Sequence, residues 1–444
     1  MAAFLIHLAS CTALLNALAA DSPQIDPSWR WHAAAEIVWL ELDPAPDSPR
    51  AIALDETGAA TVLNLRNGAA VTTLRLPTST RVAGWTENQV LLFDRHTITA
   101  LRVDAAASRP AAALDWSIGA PPAPQPDRDA DPEFTTRLIA AAVARGVMVA
   151  LRSDGEMAAY DTRDGVLCWR LSLNSGGEAR LFPPVLDNHP ETEWWWGAAS
   201  WRAGGVSRAA VLQLQGANAP ICDTAELGTE ALIWQSLARG GLVAVRHDGV
   251  LTKSPLGRLR EVQIPRDIAL ATARIGMRDP PPWHRRSSPP PFEGGPALFV
   301  ASERGEVMAI DADSGRVWWK TTPLDEPRLG PIERVVMATD DPLLLSAIGW
   351  RRLGYRDGAV QHATVADGRL LHAEGTKNET LGVFATPRAA GGVELQAVVQ
   401  PCPAERPSQH VRLSGAFRSP RVLRLRPATI LLDGNEVSAF ELPR

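Results

Sequence analysis

The chain has 444 residues, 45 Lys and Arg against 50 Asp and Glu, and a formal net charge of -5. This balance lacks the basic footprint of a nucleic-acid-binding protein, and the 45% hydrophobic content is enough for a sizeable core. The cations are almost all Arg, with Lys only at 253, 320 and 377, a bias to which no function is assigned.

The N-terminal stretch MAAFLIHLASCTALLNALAADSPQ holds an apolar run too short to span a bilayer, then Ala17-Leu18-Ala19-Ala20 and a polar start. It reads as a secretory signal over residues 1–20, although no Lys or Arg precedes the apolar run. The chain is therefore expected to be exported, with residues 21–444 as the mature domain. Leu8-Ala9-Ser10-Cys11 resembles a lipoprotein signal, which makes Cys11 a candidate lipid anchor, against cleavage that discards it. Cys168, Cys222 and Cys402 are isolated in sequence and form no metal-binding spacing. Cys168 reads as a small buried hydrophobe, and a Cys222 to Cys402 disulfide is left open.

After the signal, Ser28 to Ala35 reads as a strand that completes a sheet begun at the far end of the chain. The strands Thr429 to Leu432 and Val437 to Leu442 leave no room after them for a full repeat. Trp29 or Trp31 would then close that sheet. AIALDETGAATVLNLRNGAAVTTLRL follows, with Gly58 and Gly68 ten residues apart. Thr97 to Val103 is a degenerate relative without the turn glycine, and Trp116 stands near the end of that second unit.

Two copies of one motif then align without a gap, at Val147 to Arg170 and Ala297 to Lys320. Gly155 matches Gly305, Asp161 matches Asp311, Gly165 matches Gly315 and Trp169 matches Trp319. Asp154-Gly155 and Asp164-Gly165 are turn dipeptides between short β-compatible runs, so each unit is strand, turn, strand, turn, strand. The Gly-to-Gly spacing returns at Gly358 and Gly368, with His372 in place of the Trp. Such a sheet cannot cover both faces alone and must stack on copies of itself, and closing the ring leaves few exposed edges.

The blocks DGEMAAYDTRDGVLCW and RGEVMAIDADSGRVWW resemble the pyrroloquinoline-quinone-type propeller repeat of quinoprotein alcohol dehydrogenases and their non-enzymatic relatives. The resemblance implies an all-β fold, a single β-propeller of four-stranded blades, with eight blades favoured and seven as the alternative at roughly 40 to 50 residues each. It also implies that Trp169 and Trp319 pack between neighbouring blades. Two Pro-rich stretches, from Gly119 and from Arg278, read as loops within this ring because the repeat continues on both sides.

The enzymes of the family hold a quinone and a calcium ion and use a catalytic Asp, commonly beside a disulfide of adjacent cysteines. No Cys-Cys pair exists here, and nothing matches the cofactor site residue by residue. No catalytic, cofactor-binding or metal-binding residue is therefore assigned, and Asp161 and Asp311 read as turn-stabilising carboxylates. The nine His show no metal-ligand spacing, and no GxSxG elbow is present.

What remains is binding. Glu193-Trp194-Trp195-Trp196 and Trp201 concentrate aromatic surface, with Trp195 a candidate contact against the alternative of inter-blade packing. Trp283, Arg285 and Arg286, between two proline triplets, are a second candidate partner surface. The reading is an exported, non-catalytic, monomeric interaction scaffold of the periplasm or cell envelope, analogous by resemblance to the propeller lipoproteins of outer-membrane barrel assembly. The alternatives are a dehydrogenase dependent on pyrroloquinoline quinone and calcium, and a propeller holding a small ligand such as a sugar.

Overall fold

The computed structural model describes residues 22–43, 49–104, 111–119, 137–144, 146–173, 179–186, 195–203, 206–215, 217–227, 231–236, 242–246, 250–253, 259–262, 274–278, 297–302, 306–311, 316–321, 329–338, 341–402, 407–425 and 428–442. These residues are all strand or turn, with no helix among them. They form nine sheets, numbered here in chain order: 37–75, 81–119, 138–172, 179–227, 231–262, 274–320, 332–365, 369–417, and 421–440 completed by residues 29–32. Sheets 1 to 7 and the four main strands of sheet 8 run antiparallel in sequence order, as a propeller blade does. Nine sheets stand against the eight blades expected. The expectation allowed over 40 residues per blade, whereas the sheets at 37–75 and 332–365 close with fewer, because their turns are near the minimum for antiparallel strands.

The order of burial explains why these residues make strands without a strict polar alternation. Second and third strands are covered on both faces by neighbouring sheets, so Val147–Arg152 is buried at every position and Glu156–Asp161 at all but its ends. Such strands read as near-continuous apolar runs. Outer strands are half exposed, and Leu167–Ser172 regains a mixed pattern. The hydrophobic clusters lie between sheets. Ile52, Val62, Val90 and Leu101 join sheets 1 and 2, and Leu91, Ile98, Met148 and Tyr160 join sheets 2 and 3. Phe299 and Leu344 join sheets 6 and 7, and Trp350 and Phe384 stack between sheets 7 and 8 with ring centroids 5.5 Å apart.

Both chain ends build sheet 9. Trp29–His32 pairs antiparallel with Glu436–Phe440, with Trp29 opposite Ala439. Trp29, Ala51 and Leu63 then share a core with Ile430, Leu432 and Val437, which brings sheet 9 onto sheet 1. The closing strand expected around Ser28 to Ala35 thus takes its place, with Trp29 buried and Trp31 half-buried. Ahead of it, Gln24–Ile25 lies parallel to Gln409–Phe417 as a fifth strand on sheet 8.

The Pro-rich segment 279–296 joins Arg274–Arg278 to Ala297–Ala301, which pair with each other. It is therefore an insertion between two strands of one sheet. Residues 1–20 with Cys11, the second Pro-rich segment at 120–136, and Gly305 and Gly315 lie outside the described residues. Among the described residues, Cys168, Cys222 and Cys402 form no disulfide. The disulfide left open between Cys222 and Cys402 does not form, because one stands on the outer strand of sheet 4 and the other beyond the third strand of sheet 8.

Candidate interaction surface

Turn chemistry accounts for the repeated polar residues. Asp161 Oδ1 accepts from the Arg163 backbone N–H at 2.8 Å, and Asp164 Oδ1 accepts from Val166 N–H at 3.0 Å. Asn64 and Asn67 do the same in sheet 1, accepting from Arg66 and Ala69 at 2.9 and 3.1 Å. The two side chains replace backbone partners that a tight turn leaves unmet. Arg163 also bonds Asp161 through its side chain at 2.7 Å, and this hydrogen bond holds the Asp161 carboxyl below the usual carboxylate range. Asp311 repeats the backbone pattern, its N–H donating to Arg316 at 2.8 Å as Asp161 donates to Val166. Where sheet 2 lacks the turn glycine, Asp94 Oδ1 accepts from both His96 and Thr97.

The turns between third and outer strands receive a Trp from the preceding sheet. Trp29 Nε1 donates to the Leu65 carbonyl at 2.9 Å, Trp116 Nε1 to Thr162 at 3.0 Å, and Trp319 Nε1 to Tyr355 at 2.7 Å. In each case the acceptor lies three residues before a glycine of positive φ, at Gly68, Gly165 and Gly358. A Cβ on those glycines would come within 2.6, 2.9 and 2.7 Å of the respective indole, so the ring rests on the glycine itself. We call this contact the clasp, and the face of the ring that carries these turns the clasp face.

This geometry moves one register expected from sequence. The N–H of Gly358 donates to the carbonyl of Gly354, as Gly165 does to Asp161 and Gly68 to Asn64. Gly358 is therefore the counterpart of Gly165, not of Gly155. Gly368 lies between the outer strand Val360–Val365 and the next sheet's Arg369–Gly375. The residue in the Trp position of sheet 7 is consequently His362, not His372.

His362 is buried and its Nε2 lies 3.2 Å from Thr380 Oγ1 of sheet 8. Burial, with the Arg352 guanidinium acting in the same direction and Asp341 against it, pushes its pKa down to about 4. Arg352 is itself buried and donates from Nε and Nη2 to Asp341 Oδ2 at 3.1 and 2.9 Å, and from Nη1 to the Thr376 carbonyl at 2.7 Å. Above this pair an open groove of about 700 Å³ runs along the clasp face between sheets 7 and 8. Tyr355, Arg356, Gln361, Lys377, Asn378 and Cys402 line it, a mixed polar wall of the kind found at interaction surfaces.

The sequence candidates for partner contact are distributed unevenly. Trp195 opens the strand Trp195–Ala203 of sheet 4, with Leu186 and Leu214 opposite it. Trp283, Arg285 and Arg286 lie outside the described residues, in the segment that leaves sheet 6 between its first and second strands. Sequence reasoning missed the groove because its members come from three separate turns. Among the described residues no three His, Cys, Asp or Glu converge as metal ligands, and no helix is long and apolar enough to cross a membrane.

Residues 226–402, less than half of the chain, match the family model described as outer membrane protein assembly factor BamB. No curated protein sequence is significantly similar to the chain. Among solved structures, BamB from Moraxella catarrhalis aligns at 13% identity with a TM-score of 0.44, over 79% of this chain and 96% of that one. The WD40 domain of SCAP from fission yeast aligns at 12% identity and a TM-score of 0.50, over 93% of each chain. Sqt1 from Saccharomyces cerevisiae aligns at 11% and 0.46, over 95% of this chain and all of that one. The chain is an all-β propeller, and its residues 226–402 resemble the pyrroloquinoline-quinone-like repeat of the outer membrane protein assembly factor BamB.

Proposed function

We propose that the chain is an exported, non-catalytic propeller that serves as a protein-interaction scaffold in the cell envelope, in the service of outer-membrane protein assembly. The match of residues 226–402 to the BamB family model carries this reading. The repeat supports it physically. Its polar positions are engaged as turn caps and its indoles as clasps between sheets, so they are committed to architecture while the irregular segments remain for recognition. Trp283, Arg285, Arg286 and Trp195 are the proposed contact residues, and the ring works as a monomer in the periplasm, with Cys11 as its anchor if the signal is a lipoprotein signal.

Two measurements test the reading. Purified protein titrated with pyrroloquinoline quinone and calcium is expected to show neither stoichiometric binding nor alcohol- or sugar-dependent dye reduction; binding with turnover would replace the scaffold by a dehydrogenase. Capture from the exporting cell is expected to recover outer-membrane assembly components, and to lose them when Trp283, Arg285 and Arg286 are changed to Ala. Recovery unaltered by that triple substitution would move the contact elsewhere on the ring.

A further inference from the structure

The opposite face of the ring, which carries the second-to-third-strand turns and the links between sheets, holds a pattern that the repeat does not require. The first strands of successive sheets touch one another, at sheets 2 and 3, 3 and 4, 6 and 7, and 7 and 8 among others, and so form the inner wall. Most of these strands begin with a β-bulge. The shift falls between Ile37 and Trp39, Val82 and Gly84, Leu138 and Ala140, Leu370 and His372, and Val422 and Arg424. In sheets 1, 3 and 8 a backbone bond marks the bulge as well, its first residue donating to the preceding sheet's turn: Ile37 to Gly434, Leu138 to Arg95, and Leu370 to Ala347.

In five consecutive sheets, 8, 9, 1, 2 and 3, one residue stands just before the bulge, inside the first strand in sheets 8, 9 and 2 and immediately ahead of it in sheets 1 and 3. It is Arg369, Arg421, Glu36, Arg81 and Arg137. Arg81, Arg369 and Arg421 are exposed and Arg137 is half-buried. None of the four guanidinium groups makes an ion pair or side-chain hydrogen bond with a described residue, whereas Arg50, Arg102, Arg163, Arg352 and Arg412 all hold carboxylates. A chain of net charge -5 therefore gathers unpaired positive charge along one arc of its inner rim.

A second observation falls on the same rim. Val38 and Trp39, at the bulge of sheet 1 between the arginine-bearing sheets 9 and 2, are 51% and 40% exposed. They are the large exposed hydrophobics of the inner wall among the described residues. Trp39 Nε1 donates to Glu41 Oε2 at 3.2 Å, which fixes the indole while leaving a face open. Trp and Arg around an apolar spot are the composition of a protein-binding hot spot, and bulges recur where a sheet re-aims side chains for contact.

We propose that this arc binds an extended acidic segment of a partner protein, its carboxylates on Arg81, Arg137, Arg369 and Arg421 and one apolar side chain on Trp39. The proposal deepens the scaffold reading and rests on it. Scale favours a polypeptide over a small anion. Sheets packed face to face stand about 10 Å apart and their first strands lie closer, so the arc from sheet 8 to sheet 3 spans roughly 30 to 40 Å, the length of about nine to twelve extended residues.

The test uses a fluorescein-labelled peptide of about twelve residues, Asp and Glu with one central Phe, titrated by fluorescence anisotropy into the full chain at low and high salt. The expected result is saturable binding that weakens with salt, falls about tenfold in R81Q/R421Q and again in R137Q/R369Q, and falls about tenfold in Trp39→Ala with an unchanged melting temperature. Arg66→Gln, an exposed arginine on the clasp face, should bind as the wild type does. Absence of binding, or binding unaffected by the arc variants, overturns the proposal, as does equal affinity for a single-stranded oligonucleotide or for anionic phosphatidylglycerol vesicles. Failure here with intact capture of assembly components would remove the arc and leave the scaffold standing.

Discussion

The junction between sheets 2 and 3 and the one between sheets 3 and 4 use the same residue type in the same strand, yet they end differently. Trp116 reaches across to the turn of sheet 3, donates to Thr162 and lies on Gly165. Trp169 is the more deeply buried of the two, against Ala199, Ala210 and Leu212 of sheet 4, but its Nε1 has no hydrogen-bond partner. The receiving hairpin differs. The third strand of sheet 4, Val206–Gln215, is ten residues against six for Glu156–Asp161, so its turn stands farther from the body of the sheet. A third kind of junction joins sheets 7 and 8, where His362 takes the Trp position and meets Thr380. Apolar burial at a blade junction thus tolerates many partners, while the indole hydrogen bond needs a turn of one length.

This comparison can be broken most forcefully at the closing junction. Trp29→Ala removes both a buried indole and the clasp on Gly68, and is expected to cost about 4 kcal/mol; a denaturant melt within 1 kcal/mol of wild type, on the order of a surface substitution, would show that the clasp carries little. His362 should make the seventh junction acid-labile. Its folded pKa, about 4, lies below the ordinary 6.5, so its contribution is fully present above pH ~6.5 and is lost as pH falls toward 4. The loss is at most about 3 kcal/mol, and urea midpoints for the wild type and His362→Gln, measured from pH 7 to 4, should converge at the acid end.

Gly165→Ala places a Cβ 2.9 Å from the Trp116 ring at a φ of +74° and is expected to destabilise by about 2 kcal/mol. Gly146→Ala, also at positive φ but with open space around its Cβ, should cost less, and equal losses would mean that backbone strain alone is being read. The smallest effect is the sharpest. Trp116→Phe should lose about 1 kcal/mol for its hydrogen bond, whereas Trp169→Phe also removes a buried orphan donor and should be closer to neutral. A larger loss at Trp169 than at Trp116 would reverse the comparison.

The glycine spacing made sheets 1 and 3 legible because both of their turns use positive-φ residues at fixed offsets, and Gly58, Gly68, Gly155 and Gly165 all have positive φ. The same ten-residue spacing misled at Gly358 and Gly368, where one glycine serves a turn and the other a link between sheets. A spacing records distance along the chain and not which strands it joins. Trp29 was legible as a closing residue from what the C-terminus lacked. The groove between sheets 7 and 8 and the arginine arc were not, since each collects residues of different sheets whose proximity exists only after the sheets stack. The count of nine sheets was hidden for a related reason: sheets 4 and 5 carry Gly204, Gly205, Gly216, Gly249 and Gly257 between their strands, but not ten residues apart.

Sheet 9 also constrains how the molecule comes into being. Trp29–His32 finds its partner only in Glu436–Phe440, about four hundred residues later, while most other strands pair with a neighbour close in sequence. Local hairpins can therefore form early and fast, but the final pairing closes a loop about ten times longer than any one sheet. The strand Trp29–His32 stays unpaired until Glu436–Phe440 is available, so completion of the ring is a late, all-or-none event, and loss of Thr429–Asp433 and Glu436–Phe440 would leave a row of paired sheets with an open seam.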